Sequence, residues 1–215
     1  MTRLILFDVD GTLLDSQHMI VAAIAAAFAA QGMPAPSRAE SLASVGLSLP
    51  LLFRRLAGAH GPVEALAANY KAAWKAQREA EGFVYPLFAG ADTLVRSLAR
   101  RDDIVLGIAT GKSRAGVADL CRRCGWGSVF ATLQTADDAP SKPSPVMIEQ
   151  ALRATAIKAK HCVMIGDTHY DMAMARAAGV QAIGVAWGYH TTAQLVAAGA
   201  KAIASDFDEL ADLLA

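Results

Sequence analysis

The chain has 215 residues, of which 54% are hydrophobic and 19% charged, with 20 basic residues against 20 acidic ones and a formal net charge of zero. That composition supports a sizeable core in one domain, or in one domain plus an insertion, and it excludes a disordered polyampholyte. The charge balance lacks the clustered basic excess of a nucleic-acid binder. No apolar run approaches the roughly 20 residues of a membrane helix. The N-terminus reaches an acid at Asp8, too early for a secretory signal, so the expectation is a cytoplasmic protein with neither membrane nor nucleic-acid partners.

Five short apolar runs read as strands: Leu4–Phe7, Ile104–Ala109, Val129–Leu133, Cys162–Ile165 and Val180–Val185, with Ala202–Ala204 as a weaker sixth. They are nearly continuous rather than alternating, which is how strands buried on both faces of a parallel sheet read. Helical patterns fall between them at Ala91–Arg101, Arg114–Cys124, Pro145–Ala156 and Asp171–Ala178. This alternation predicts an α/β fold with a parallel sheet. One stretch breaks the rhythm. Residues 16–86 read as helical throughout, with helices at Gln17–Ala30, Leu49–Ala57 and Val63–Glu81 punctuated by Gly32, Pro34, Pro50, Pro62 and Gly82. The predicted organisation is therefore a core of residues 1–15 and 87–215, with a helical domain of residues 16–86 inserted after the first strand. Leu13–Gln17 and Gly82–Gly90 are the expected hinges.

Four polar groups fall just past the ends of predicted strands or at the start of a helix, the edge where open parallel sheets bind ligands. Asp8-Val9-Asp10-Gly11-Thr12 follows the first strand, and Gly11 permits the bend that lets two carboxylates face one site. Thr110-Gly111-Lys112 offers a hydroxyl and free backbone N–H groups suited to a phosphate oxygen. Ser141-Lys142-Pro143 places a lysine before a helix, and Gly166-Asp167-Thr168-His169-Tyr170-Asp171 adds two carboxylates. Four acids at one edge raise each other's pKa unless a counter-charge is present. A hard divalent cation such as magnesium, shared with a substrate phosphate, resolves this, and Lys142 adds a point charge. Asp8 suits the role of carboxylate nucleophile. Asp10 suits general acid–base work. Gly11, Thr110, Gly111 and Lys142 suit phosphate binding, with Thr110 and Lys142 holding charge as it develops.

These four motifs, in this order, resemble those of the haloacid-dehalogenase-like phosphatase superfamily, in the branch with a helical cap after the first motif. The tail Gly184-Val185-Ala186-Trp187-Gly188-Tyr189-His190 is similar to that of the phosphoglycolate-phosphatase-type subgroup. The resemblance covers Met1–Leu14 and Leu87–Ala215. It implies a Rossmann-like core and a Mg2+-dependent phosphatase that hydrolyses a small anionic phosphate monoester, phosphoglycolate-like, through an aspartyl phosphate. It further implies Asp8, Asp10 and Asp167 around the metal, Asp10 through its backbone carbonyl, with Asp171 holding a bound water or orienting a ligand. The dehalogenases of the superfamily lack an acid at the position of Asp10, which argues against carbon–halogen cleavage.

Other readings compete. A phosphosugar mutase would use the same aspartyl phosphate and return it to the sugar. A phosphonate-cleaving relative would need a Schiff-base lysine, for which Lys71 and Lys75 are available. A receiver module is also phosphorylated on aspartate, but it is shorter and lacks the helical insert. Cys121 and Cys124 have metal or redox spacing without a second pair, so they read as ordinary thiols late in a helix. His169 reads as a loop residue with no part in the scheme, and His190 as a candidate for shaping the pocket. Arg54, Arg55, Lys71, Lys75 and Arg78 read first as a solvated face and second as contacts to an anionic substrate.

Overall fold

The computed structural model describes residues 1–215. Six parallel strands form one sheet: β1 (Arg3–Phe7), β2 (Ile104–Ala109), β3 (Thr132–Gln134), β4 (Cys162–Gly166), β5 (Gln181–Val185) and β6 (Ala202–Ala204), in the order β3-β2-β1-β4-β5-β6. This is the predicted α/β, Rossmann-like architecture. β1 lies at the centre, paired with β2 on one side and β4 on the other, so the chain reverses its direction of winding there. In such sheets that switch point is where ligands bind.

The period-2 geometry of a strand explains why β1 is apolar without alternation. Ile5 and Phe7 join one apolar cluster and Leu4 and Leu6 join the other, so every side chain from Leu4 to Phe7 is fully buried. Helices α5 (Ala91–Ala99), α6 (Arg114–Arg123) and α10 (Phe207–Leu214) cover the first face. Helices α7 (Val146–Thr155), α8 (His169–Ala177) and α9 (Thr192–Ala198) cover the second.

Between β1 and α5 lie only helices: α1 (Gln17–Ala29), α2 (Arg38–Leu42), α3 (Leu49–Ala57) and α4 (Val63–Glu79). They have an apolar cluster of their own. α1 buries Ile20, Ala23, Ile24, Ala27 and Phe28, the i, i+3, i+4, i+7, i+8 stripe of one helix face, and packs it on α4. Chain exit and re-entry are side by side. The Asp15 N–H donates to the Pro86 carbonyl at 2.8 Å and the Phe88 N–H to the Leu13 carbonyl at 3.0 Å, around an antiparallel bridge between Leu14 and Leu87. No helix is long and apolar enough to cross a membrane.

The structure corrects the third predicted strand. Extended pairing covers Thr132–Gln134 rather than Val129–Leu133. Phe130 instead packs edge-on against buried Trp126, their centroids 5.8 Å apart, in the turn that follows Gly125, so those apolar residues serve the core without entering the sheet. Two further helices carry no bold apolar period in the sequence: the short α2, fixed by a Ser37/Glu40 capping box, and α9, fixed by a Thr191/Gln194 box.

Candidate active site

The site lies at the carboxyl ends of β1, β2 and β4. β1 ends at Phe7, and the Asp8 N–H donates to the Ile165 carbonyl at 2.9 Å, which sets the aspartate at the mouth of the sheet. Asp8 is buried, as are Thr110, Lys142, Asp167 and Asp171. Carboxylate oxygens of Asp8, Asp167 and Asp171 lie within 4.8 Å of one another. Lys142, wholly buried, donates to Asp171 Oδ1 at 2.5 Å and is 3.0 Å from Asp8 Oδ2. The other Asp8 oxygen, Oδ1, is buried without a hydrogen-bond partner.

Glycines make room for this crowding. A Cβ on Gly11, which has φ +88°, would fall 2.2 Å from Asp167 Oδ2, and one on Gly188 would fall 2.0 Å from Asp167 Cβ. Asp167 is oriented by the Thr12 hydroxyl at 3.0 Å and the Tyr189 N–H at 2.9 Å. Asp171 completes a capping box at the start of α8, accepting from the Thr168 hydroxyl at 2.6 Å and the Thr168 N–H at 3.1 Å. The cap role and the site role thus fall on one side chain, with one oxygen for the helix and one for Lys142.

Asp10 is placed differently. Its side chain is turned away from the carboxylate triad toward Lys112, which donates to its two oxygens at 3.0 and 2.9 Å, and toward the Ser16 hydroxyl at 2.7 Å. Ser16 in turn meets the Tyr189 hydroxyl at 3.1 Å. Sequence reasoning missed this arrangement around Asp10. Lys112 stood next to the recognised Thr110-Gly111 pair and was the available signal; Ser16 and Tyr189 carried none.

Asp8, Asp10, Thr110, Gly111 and Lys112 share a cavity of about 300 Å³ with residues of α1, α3, α4 and the loop before α3. That loop reaches the core directly. The Ser48 N–H donates to the Ser141 hydroxyl at 2.8 Å, and a Cβ on Gly111 would fall 2.8 Å from the Gly46 carbonyl oxygen. Arg55 donates to the Tyr170 hydroxyl at 2.9 Å, and Arg78 to Asp119 at 3.1 Å. His169 and His190 do not line the cavity. They are paired with each other at 2.9 Å, and burial lowers both, His190 to about 4 with the help of its neighbour. Cys121 and Cys124 are free thiols, and burial raises Cys121 to about 11.

Burial raises the Asp8 pKa from 3.8 to about 6 against the pull of Lys142, and burial together with Asp171 and Asp8 raises Asp167 well above the ordinary carboxylate range. Burial alone would lower Lys142, but Asp171 and Asp8 outweigh it and keep the ammonium charged. Three carboxylates therefore face one ammonium, which leaves two negative charges unmatched if all ionise. This donor set of hard oxygens, with one Asp8 oxygen unpartnered, fits a hard divalent cation.

A pH dependence follows. With its folded pKa above 3.8, Asp8 contributes stability that is fully present below about 3.8 and lost as pH rises through about 6. Asp167 acts in the same direction. His190, depressed to about 4, acts oppositely, its contribution being lost as pH falls. A divalent cation held by these carboxylates would compete with their protons, which separates their contribution from that of His190. The urea-midpoint gain from magnesium over chelator is expected to grow between pH 5 and pH 7.5, and a gain independent of pH would contradict the assignment.

The chain belongs to the haloacid dehalogenase-like hydrolase family, whose family model matches residues 5–185. It is 35% identical over 218 residues to the probable phosphatase IndB of Dickeya dadantii, covering 98% of this chain and 92% of that protein. It is 30% identical over 217 residues to the plasmid phosphoglycolate phosphatase of Cupriavidus necator, again covering 98% and 92%. Among solved structures, a haloacid dehalogenase-like family hydrolase of Streptococcus pneumoniae superposes with a TM-score of 0.84 at 26% identity, over 100% of this chain and 99% of that one.

Proposed function

We propose that the protein is a magnesium-dependent phosphatase that hydrolyses a phosphate monoester through an aspartyl phosphate on Asp8. The observation that carries this reading is the unpartnered Asp8 Oδ1, buried where the cavity meets the sheet, with Lys142 beside the other oxygen. A buried, unsatisfied carboxylate oxygen is costly, and such sites persist where chemistry uses them. The relatives named as phosphatases support the reading.

In the first step an Asp8 oxygen attacks phosphorus, the P–O bond to the alcohol breaks, and Asp10 gives its proton to the departing oxygen. Lys112 and Ser16 hold the Asp10 carboxylate beside the cavity; for the transfer Asp10 enters protonated, with its ion pair to Lys112 opened, and it regains that proton from water in the second step. In the second step Asp10 takes a proton from water, whose oxygen attacks the same phosphorus, releasing inorganic phosphate and restoring the Asp8 carboxylate. Lys142, Thr110 and the backbone N–H of Gly111 hold the phosphoryl oxygens, whereas the Gly11 N–H, expected from the sequence to join them, instead donates to the Leu14 carbonyl at 2.9 Å. Asp8, Asp167 and the Asp10 carbonyl would hold magnesium, with Asp171 supporting a bound water. When bound, the ion neutralises charge on the phosphate. Residues 16–86 act as a cap domain that closes the cavity and excludes water, and Leu13–Gln17 and Gly82–Gly90 are its hinges. Phosphoglycolate, after which several relatives are named, is the reference substrate.

Phosphate release from a panel of phosphomonoesters tests this. Release is expected with magnesium and is expected to vanish with chelator. Release undiminished by chelator would remove the metal from the mechanism, and isomerisation of a sugar phosphate without release would identify a mutase.

A further inference from the structure

The cavity over Asp8 has a wall that a two-carbon acid does not explain. On the helical side it is formed by Ile20, Val45, Leu49, Leu52, Tyr70 and Trp74. The two rings are held in place. Tyr70 and Trp74 lie nearly parallel, at 18° with centroids 6.0 Å apart, and Tyr70 meets Phe53 edge-on at 5.9 Å. Phe53 packs in turn on Phe28 at 6.3 Å, so neither ring turns aside without unpacking α1, α3 and α4.

Two of the four cations at this wall, Lys112 and Arg78, are engaged elsewhere. Lys112 donates to Asp10 and sits with its ammonium 4.3 Å from the Trp74 ring centroid. Arg78 is bound to Asp119 at 3.1 Å. Lys71 and Lys75 also line the cavity; both are exposed, Lys75 is 3.6 Å from Glu79, and Lys71 has no ion-pair partner. A cavity of about 300 Å³ is also more than a two-carbon acid fills, and it lies at the lower end of pockets that enclose ring-bearing ligands.

Resting on the phosphatase reading, we propose that the alcohol released by this enzyme carries an aromatic ring, which occupies the space bounded by Leu49, Leu52, Tyr70 and Trp74. The ring takes the place of water against those side chains, while the phosphate takes the polar end at Asp8, Thr110 and Lys142.

The test compares kcat/KM, with magnesium, for 2-phenylethyl phosphate, ethyl phosphate and phosphoglycolate. Their alcohols are all weak acids, so the differences report binding of the alcohol rather than leaving-group chemistry. The phenylethyl ester is expected to exceed ethyl phosphate by about 10–100-fold, the effect of burying one ring, and to exceed phosphoglycolate as well. Tyr70→Ala and Trp74→Ala are each expected to shrink the phenylethyl-to-ethyl ratio by roughly tenfold. A ratio near one, or phosphoglycolate as the best of the three, overturns the inference and leaves the phosphatase reading standing. No release from any of the three, nor from p-nitrophenyl phosphate, removes the phosphatase reading and this inference with it.

Discussion

Asp8→Asn is expected to yield a folded protein whose phosphate release is lower by a factor on the order of 10⁴–10⁶, the range seen when a nucleophile that acts as part of a unit is removed. The amide nearly matches the carboxylate in shape, and its oxygen can still accept from Lys142, which stands 3.0 Å from Asp8 Oδ2. What it loses is the charged lone pair that, in the proposed mechanism, attacks phosphorus. The fold should not suffer. Burial holds the Asp8 pKa at about 6, so at neutral pH its ionised form opposes folding, and a neutral amide relieves that. The measurements are phosphate release and urea unfolding on the same preparation. A variant with near-normal turnover would sink the nucleophile assignment. One that is inactive because it is unfolded would contradict the electrostatic argument instead.

Lys142→Met is expected to be the most damaging of the simple site variants for stability. Lys142 is wholly buried and is the one ammonium in contact with the Asp8 and Asp171 carboxylates. Methionine roughly matches its stem but leaves two buried acids without a counter-charge, a change that typically costs about 3–5 kcal/mol. The acids can escape part of that cost by taking up protons, so the loss should be larger at pH 7.5 than at pH 5.5. Magnesium should return part of it, by about 2.7 kcal/mol when present at 100 times its dissociation constant. Urea melts at the two pH values, with magnesium and with chelator, check all of this. A loss below about 1 kcal/mol at pH 7.5 would show that the carboxylates do not depend on the lysine.

How far the sequence reveals these features follows from how local each one is. β1, β2, β4 and β5 were legible because a strand buried on both faces must be apolar at every position, as Leu4–Phe7 is. The edge strands were less so: β3 has three residues, and the apolar residues before it, Val129 and Phe130, answer to Trp126 rather than to the sheet. At the site, Asp8, Thr110, Lys142, Asp167 and Asp171 stood in short runs next to strand or helix ends, where local geometry limits where a side chain can point. The partners of Asp10 were not legible in this way. Ser16 lies in the first turn toward α1, Lys112 is contributed after β2, and Tyr189 after β5, and only the closed fold brings them together. The aromatic wall was hidden for a related reason. Tyr70 and Trp74 sit on a helix whose apolar stripe could equally have been plain core, and their place at the cavity depends on how α4 docks above Lys112.

The bridge between Leu14 and Leu87 also bears on how this molecule could change over generations. Because the chain leaves and re-enters the core through neighbouring backbone hydrogen bonds, the sheet experiences everything between them as a single loop. The entropy of closing a loop rises only with the logarithm of its length, so doubling the stretch costs only about 0.6 kcal/mol. Helices could be added, shortened or exchanged there with little penalty to the strands that carry Asp8 and Asp167. Residues 16–86 are thereby free to diversify while the carboxylate cluster at the sheet edge stays fixed.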